Sequence, residues 1–157
     1  MNVRNSFIIV ALIACTVYGG AHFFGERKRA DEVSCNDGIL RQNLIRWEED
    51  VRSRGLDPSG SLGRLRSLTV VNTKEFAGLC DLENRRIQIS KRQMKRGYWS
   101  TRAAVYHELG HWVFNLKHGD CGIMNSNTYE EEYYRENWDL LLEEYLDKCY
   151  ERRFESL

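Results

Sequence analysis

One stretch of the chain, HELGHWVFNLKHGDCGIMN at residues 107–125, constrains the fold more than any other. It holds three of the four histidines, and its first part has the spacing of an amphipathic helix. His107 and His111 are four residues apart, so they lie on one face, one turn apart. The opposite face carries apolar residues at spacings of four, three and four: Val105, Leu109, Trp112 and Leu116. We therefore predict a helix that is buried on one side and displays two imidazoles on the other.

The spacing of His107 and His111 is that of a bidentate metal clamp. HExxH on a helix directs both imidazoles to one metal ion and leaves the glutamate between them beside the ion. Glu108 lies about 100° round the helix from His107, where its carboxylate can take a proton from a water molecule on the metal. We predict a zinc site with His107 and His111 as ligands and Glu108 as the general base.

A catalytic zinc ion usually has three protein ligands and one open position, so a third ligand is needed. His118 follows His111 by seven residues, and Asn115 suits the left-handed turn that would bring the chain back to the metal. Glu130 and Glu131 on the next helix are the alternative ligands. Acidic residues in the first turn of a helix also offset its dipole, which explains those two glutamates without a metal. We predict His118 as the third ligand.

The rest of the chain predicts an α+β domain. Apolar residues at spacings of three and four predict a helix over residues 39–55, capped by Asn36 or Asp37 and stopped by Gly55. LDPSGSLG, residues 56–63, is typical of a loop because of its proline and glycines. Three strands are predicted at residues 67–73, 75–80 and 85–90, and two more helices at about residues 100–115 and 128–153.

Composition excludes one class of partner and bounds the size of the fold. Lys plus Arg and Asp plus Glu number 23 each, so the net charge is zero and no overall field attracts nucleic acid. A chain of 157 residues is long enough for one domain with a hydrophobic core and short for two. We expect a single globular domain that does not bind nucleic acid, and no feature predicts its oligomeric state.

Residues 1–29 are typical of a membrane-targeting segment with a linker. Residues 7–24 are uncharged and mostly apolar, which is at the lower limit of what spans a bilayer as a helix. Three interpretations fit: a retained anchor, a cleaved secretory signal, and a lipoprotein signal acylated at Cys15. Each predicts a domain outside the cytoplasm, in the bacterial periplasm or cell envelope, with the membrane as a partner through this segment.

The four remaining cysteines are an even number, which suits two disulfides in an oxidising compartment. Sequence alone allows three pairings, of which we favour Cys80 with Cys121 and Cys35 with Cys149. Four buried free thiols are the alternative.

HELGH, then His118, then CGIM resembles the metzincin metallopeptidases, in which a methionine-containing turn follows the histidine motif and lies beneath the metal. The resemblance is closest to small bacterial metallopeptidases and covers about residues 67–146, including GLC and RRIQIS. It implies zinc ligation by His107, His111 and His118, a general base at Glu108 and a Met-turn at Met124.

The resemblance also implies a fold and an activity. Residues 30–157 would form a minimal zincin-like domain of the metzincin type, with a small mixed sheet, an active-site helix, the Met-turn and a C-terminal helix. RRIQIS would be the cleft-edge strand along which a peptide or protein substrate lies. The implied activity is that of a zinc metalloendopeptidase acting through a zinc-activated water. The alternative is an anchored, non-catalytic protein of the same fold in which zinc is structural.

Overall fold

The computed structural model describes residues 28–155. Within this part of the chain, four short strands form one mixed sheet in the order β1-β2-β4-β3. Neighbours are parallel from β1 to β4, whereas β3 pairs with β4 in the antiparallel direction. The strands are β1 (Ser34–Cys35), β2 (Ser67–Val71), β3 (Gly78–Asp81) and β4 (Arg86–Ser90). The prediction of an α+β fold with a small mixed sheet is confirmed.

Five helices accompany the sheet in the described residues, after a 3-10 turn at Ala30–Glu32. The central helix, α4, contacts α1 and α5 as well as strands β3 and β4. All four of the other helices and two of the strands therefore surround the helix that carries HELGH. The helices are α1 (Gly38–Ser53), α2 (Ser59–Arg64), α3 (Lys91–Met94), α4 (Tyr98–Phe114) and α5 (Glu131–Glu155).

Helix α1 forms where the apolar spacing predicts it. Asp37 caps its start by accepting hydrogen bonds from the backbone N–H groups of Ile39 and Leu40 at 2.8 and 3.2 Å. Gly55 has a φ of 74°, a conformation that glycine adopts without strain, and the chain turns there. The apolar face is fully buried: Leu40, Leu44, Trp47 and Val51.

The prediction of an unstructured loop over residues 56–63 is wrong, because α2 occupies most of it. Asp57 accepts a hydrogen bond from the backbone N–H of Ser59 at 3.1 Å, which starts the helix. Leu62 is fully buried, and Trp112 of α4 donates its indole N–H to the backbone oxygen of Ser61 at 2.9 Å. Tertiary packing therefore overrides the turn propensity of proline and glycine.

The positions of β3 and β4 in the sheet differ from the predicted cleft edge. RRIQIS contributes β4, which has β2 on one side and β3 on the other, so it is an interior strand. The prediction that RRIQIS forms the edge is wrong. The edge strand next to α4 is β3, which begins three residues later than predicted. Asp81 stabilises the turn between the strands by accepting hydrogen bonds from Asn84 and Arg86. That turn folds β3 back on the outside of β4.

The hydrophobic core lies between the sheet and the helices and continues between α1, α4 and α5. A buried hydrogen-bond chain joins these three helices. Trp47 donates its indole N–H to the hydroxyl of Tyr145 at 3.0 Å, and that hydroxyl donates to the backbone oxygen of Tyr106 at 2.9 Å. The stripe predicted on the last helix is buried in this core: Tyr134, Trp138, Leu141, Tyr145 and Cys149.

The four described cysteines are free, so neither predicted disulfide is present. Cys35 and Cys80 lie on the two outermost strands, aligned through the two strands between them and therefore about 14 Å apart. Cys121 and Cys149 are buried away from the sheet, both close to Tyr145 of α5. Each predicted pair joins one cysteine of the sheet to one of the α5 region, which the fold keeps apart.

The segment predicted to target the membrane, including Cys15, lies outside the described residues. Among residues 28–155, no helix combines the length and the apolar character needed to cross a bilayer. The first described residues already pack against the rest of the fold. Ala30 is fully buried, and its N–H donates to the carboxylate of Glu48 at 2.7 Å.

Candidate metal centre

The three histidines of the quoted stretch converge at the C-terminal half of α4. His107 and His111 lie one turn apart, and their Nε2 atoms are 3.1 Å from each other. The Nε2 of His118 is 3.2 Å from that of His111. In the described part of the chain this is the one cluster of three or more potential ligand side chains that could hold a metal ion. The structure therefore brings together all three predicted ligands.

The turn after α4 brings His118 back to the helix. Asn115 ends α4 with a φ of 51°, the left-handed conformation expected for it. Its backbone N–H and that of Leu116 both donate to the backbone oxygen of Gly110, which folds the chain against the last turn of the helix. Leu116 is buried beneath this turn, so burial of an apolar side chain holds the loop that carries His118.

Two backbone carbonyls orient the imidazoles of α4. The Nδ1 of His107 is 2.8 Å from the oxygen of Ile123, and the Nδ1 of His111 is 2.6 Å from the oxygen of Leu116. A carbonyl only accepts, so each Nδ1 carries the proton and each Nε2 keeps a lone pair. Burial lowers the pKa of His107 to about 4 and also lowers the pKa of His111. Both rings are therefore neutral near neutral pH.

This arrangement fits a divalent cation. The Nε2 lone pairs of His107 and His111 face each other at 3.1 Å with no proton between them, which is unfavourable unless a cation lies there. Tetrahedral zinc with Zn–N bonds of about 2.0–2.1 Å would separate its nitrogen ligands by about 3.3 Å. The two measured Nε2 separations, 3.1 and 3.2 Å, are close to that value. Neutral imidazole is also a ligand that zinc prefers.

The alternative ligands, Glu130 and Glu131, are engaged elsewhere. Glu131 accepts hydrogen bonds from the backbone N–H groups of Trp99 and Ser100 at 3.0 and 2.8 Å. It therefore caps the start of α4, which lies about 10 Å along the helix axis from His107. Glu130 is exposed and pairs with Arg96 at 3.3 Å. Neither glutamate belongs to the histidine cluster.

Glu108 lies beside the histidine cluster and is not part of it, as predicted. Its side chain is only 6% exposed, and it sits against edge strand β3, where the backbone N–H of Cys80 donates to the carboxylate. Burial raises the pKa of Glu108 to about 7, and the hydrogen bond from Cys80 opposes that rise. The carboxylate is thus held by the backbone of a neighbouring strand.

A cavity of about 270 Å³ opens beside the cluster. Its wall includes Glu108, His107 and His118 on one side and the loop after α4 on the other. The sequence patterns missed Phe76, Ala77 and Gly78, which reach this wall from the start of β3. HELGH by itself does not indicate them, because Glu108 and the histidines that share this wall lie at least 29 positions later in the chain. A molecule in this cavity would touch both the histidines and Glu108.

Met124 lies in a turn that packs against Gly110 of α4. The turn is closed by a hydrogen bond from the backbone N–H of Met124 to the oxygen of Cys121 at 3.0 Å, and Met124 is fully buried. A Cβ on Gly110 of HELGH would lie 2.8 Å from the sulfur of Met124 and 3.2 Å from the ring of Tyr145. Gly110 therefore lets the methionine turn approach the backbone of α4.

Gly110→Ala is expected to destabilise the protein by about 1–2 kcal/mol, because overpacking costs more than the gain in helix propensity. Urea unfolding of the variant and the wild-type protein measures this difference. Gly38→Ala is the matched control, since no atom lies within 4 Å of a Cβ placed there. Equal stabilities of the Gly110 variant and the wild type would contradict the close approach.

Comparisons with known proteins add no further constraint. No family model, no curated protein sequence and no solved structure matches this chain. The resemblance to metzincins therefore rests on the sequence motifs alone.

Proposed function

We propose that the protein is a zinc-dependent metallopeptidase that hydrolyses peptide bonds. The main support is the convergence of His107, His111 and His118 beside a cavity that also contains the buried carboxylate of Glu108. Three imidazoles leave one position of a tetrahedral ion free, which is the pattern of catalytic rather than structural zinc. A structural zinc site does not require a buried glutamate next to its ligands.

The histidines would hold the zinc ion. When bound, zinc would act as a Lewis acid that polarises the substrate carbonyl and lowers the pKa of water. Glu108 acts as the general base: it accepts the proton of the attacking water and returns it to the leaving amine. The backbone N–H of Cys80 opposes the rise in the pKa of this carboxyl group that burial causes, which favours the ionised form that a base needs. Ile123 and Leu116 contribute through their carbonyls, which fix the two imidazoles of α4.

An extended peptide or protein segment is the proposed substrate. Strand β3 is paired on one side only, so its other edge offers backbone N–H and C=O groups. Gly78 of this strand lines the cavity next to Glu108, which puts the strand edge beside the proposed reaction centre. Leu79 and Leu82 are exposed at 39% and 64% and provide apolar surface at the same edge.

A zincin-like fold is part of the same proposal. The antiparallel edge strand, the histidine helix α4, the turn at Met124 and the C-terminal helix α5 follow one another in the order implied by the metzincin resemblance. We further propose that the domain acts outside the cytoplasm, as the N-terminal residues suggest. The competing proposal is a non-catalytic protein with structural zinc. A measurement of peptide cleavage distinguishes the two proposals.

Metal analysis combined with proteolysis tests the proposal. The full-length protein is loaded with zinc, its metal content is measured, and it is incubated with a library of short peptides, with cleavage followed by mass spectrometry. We expect about one zinc ion per chain and cleavage that stops when the metal is removed. A zinc-loaded protein that cleaves no peptide would support the non-catalytic alternative.

Removal of zinc is expected to lower the melting temperature without unfolding the domain. The core extends through the sheet and the helices and does not depend on the histidine cluster, unlike that of small zinc-dependent domains. Zinc at a thousandfold excess over Kd stabilises the folded state by about 4 kcal/mol. Circular dichroism during heating, with and without EDTA, measures the shift. Loss of the cooperative transition after chelation would contradict this expectation.

A further inference from the structure

We propose that Gly78 is a positioning residue for Glu108: the absence of a side chain at residue 78 leaves the space that the carboxylate occupies. The claim about catalysis rests on the proposed peptidase function. The steric claim, that a side chain at residue 78 would displace the carboxylate of Glu108, does not. Gly78 lies at the start of edge strand β3, opposite the middle of α4. Nothing in the pattern of HELGH indicates that a glycine 30 positions earlier is needed.

The steric case is direct. A Cβ on Gly78 would lie 2.5 Å from Oε1 of Glu108, 2.9 Å from its Cγ and 3.0 Å from its Cδ. Real Cβ atoms essentially never approach other atoms closer than 3.0 Å, so an alanine at residue 78 requires movement. All three nearest atoms belong to one side chain. The closest conflict is therefore with the side chain of Glu108.

The backbone does not require glycine at this position. Among the described residues, the glycines with positive φ are Gly55, Gly97 and Gly119. Gly78 is in ordinary strand conformation, paired with Ile89 of β4, and an alanine could adopt the same backbone. The close approach of Glu108 is thus the feature of the structure that accounts for glycine here.

Strand β3 is less free to move than the carboxylate. Gly78 and Cys80 are two residues apart, so they share the face of β3 that is turned toward Glu108. The N–H of Cys80 donates to the carboxylate, while hydrogen bonds to β4 hold the strand, including one from Ser90 N–H to the oxygen of Ala77 at 2.9 Å. An added methyl group would therefore displace the end of the Glu108 side chain.

Gly78→Ala is expected to lower kcat about 100-fold, the effect of a misplacement of about 1 Å in a catalytic group. Zinc content should stay near its wild-type value, because the three atoms nearest to a Cβ at residue 78 belong to Glu108 and not to a histidine. The melting temperature should be equal or higher by about 1–3 °C, since alanine reduces the entropy of the unfolded chain. Loss of activity without loss of stability distinguishes positioning from a structural role.

Gly60→Ala is the matched control. Gly60 lies in α2, no atom lies within 4 Å of a Cβ placed on it, and its φ is not positive. This variant should gain stability and keep the wild-type kcat. If Gly78→Ala also keeps the wild-type kcat in a protein whose activity depends on Glu108, the proposed role of Gly78 is wrong.

A second pair of variants tests the steric claim without activity. We compare the change in melting temperature caused by Gly78→Ala in the wild-type protein and in Glu108→Ala. The rise should be larger in the Glu108→Ala background, because no carboxylate has to move there. Equal changes in both backgrounds would refute the proposal for Gly78. Absence of any Glu108-dependent cleavage by the wild type would refute the peptidase proposal instead.

Discussion

Replacement of Glu108 by glutamine is expected to lower kcat/KM by about 10²–10⁴-fold, the usual contribution of a positioned general base. Glutamine has almost the same shape and its amide oxygen can still accept the hydrogen bond from the Cys80 N–H. It cannot take a proton from water. The zinc content of Glu108→Gln should equal that of the wild type, because Glu108 is not among the clustered ligands. Peptide cleavage rates and metal analysis of both proteins measure the two effects.

Glu48→Gln is a control matched for burial. Glu48 is 4% exposed and accepts a hydrogen bond from Ala30, far along the chain from the histidines. Its replacement should affect stability and leave the cleavage rate near that of the wild type. If Glu108→Gln cleaves as fast as the wild-type protein, Glu108 is not the base.

Replacement of His118 by alanine is expected to weaken zinc binding by about 10²–10³-fold. Structural zinc binds with an apparent free energy of about 10–16 kcal/mol, and one of four ligands accounts for roughly a quarter of it. The side chain of His118 is the exposed member of the cluster, so its loss removes a ligand without opening the core. Competition with a chromophoric chelator measures the zinc affinity, and peptide cleavage should fall with it.

Glu130→Gln is the control for His118→Ala. Glu130 is exposed, pairs with Arg96 and was the alternative ligand suggested by its position in the sequence. Its replacement should leave the zinc affinity unchanged. An unchanged affinity in His118→Ala, together with a loss in Glu130→Gln, would assign the third ligand to the glutamate.

Short-range sequence patterns predicted the histidine helix and the turn after it. The spacing of His107 and His111 depends on helix geometry alone, and both residues lie on α4. Of the predicted apolar stripe, Val105 and Leu109 are buried in α4, whereas Trp112 is partly buried and Leu116 lies beyond the end of the helix. Asn115 has the left-handed conformation expected from its tolerance of positive φ. Asp37 likewise caps α1 as predicted. Each of these features is decided by residues a few positions apart.

The position of RRIQIS at the sheet edge, which the metzincin resemblance implied, is wrong, and strand patterns alone do not contain the order of strands in a sheet. The alternation in RRIQIS indicates one buried and one open face, and Ile87 and Ile89 are buried. It does not indicate which strands flank the segment. The edge position of β3 follows from the hairpin turn at Asp81 and from the parallel pairing of β4 with β2.

The role of Glu131 shows the same limit for a single side chain. An acidic residue near the start of α5 suggested either a metal ligand or a group that stabilises its own helix. The carboxylate instead accepts hydrogen bonds from Trp99 and Ser100, more than 30 positions earlier. The first backbone N–H groups of α4 have no partner within the helix, so a carboxylate is favourable beside them. Only the packing of α5 on α4 brings the Glu131 carboxylate to these groups.

The sequence by itself determined that one helix displays His107 and His111 on its open face and that the chain bends back after Asn115, since helix period and local backbone preference act within a few residues. Only the tertiary structure decided that β3 is the edge strand next to α4, that Gly78 leaves space for Glu108, and that the four described cysteines stay unpaired. These outcomes depend on which surfaces meet, and contacts between distant segments are selected by the packing of the whole core.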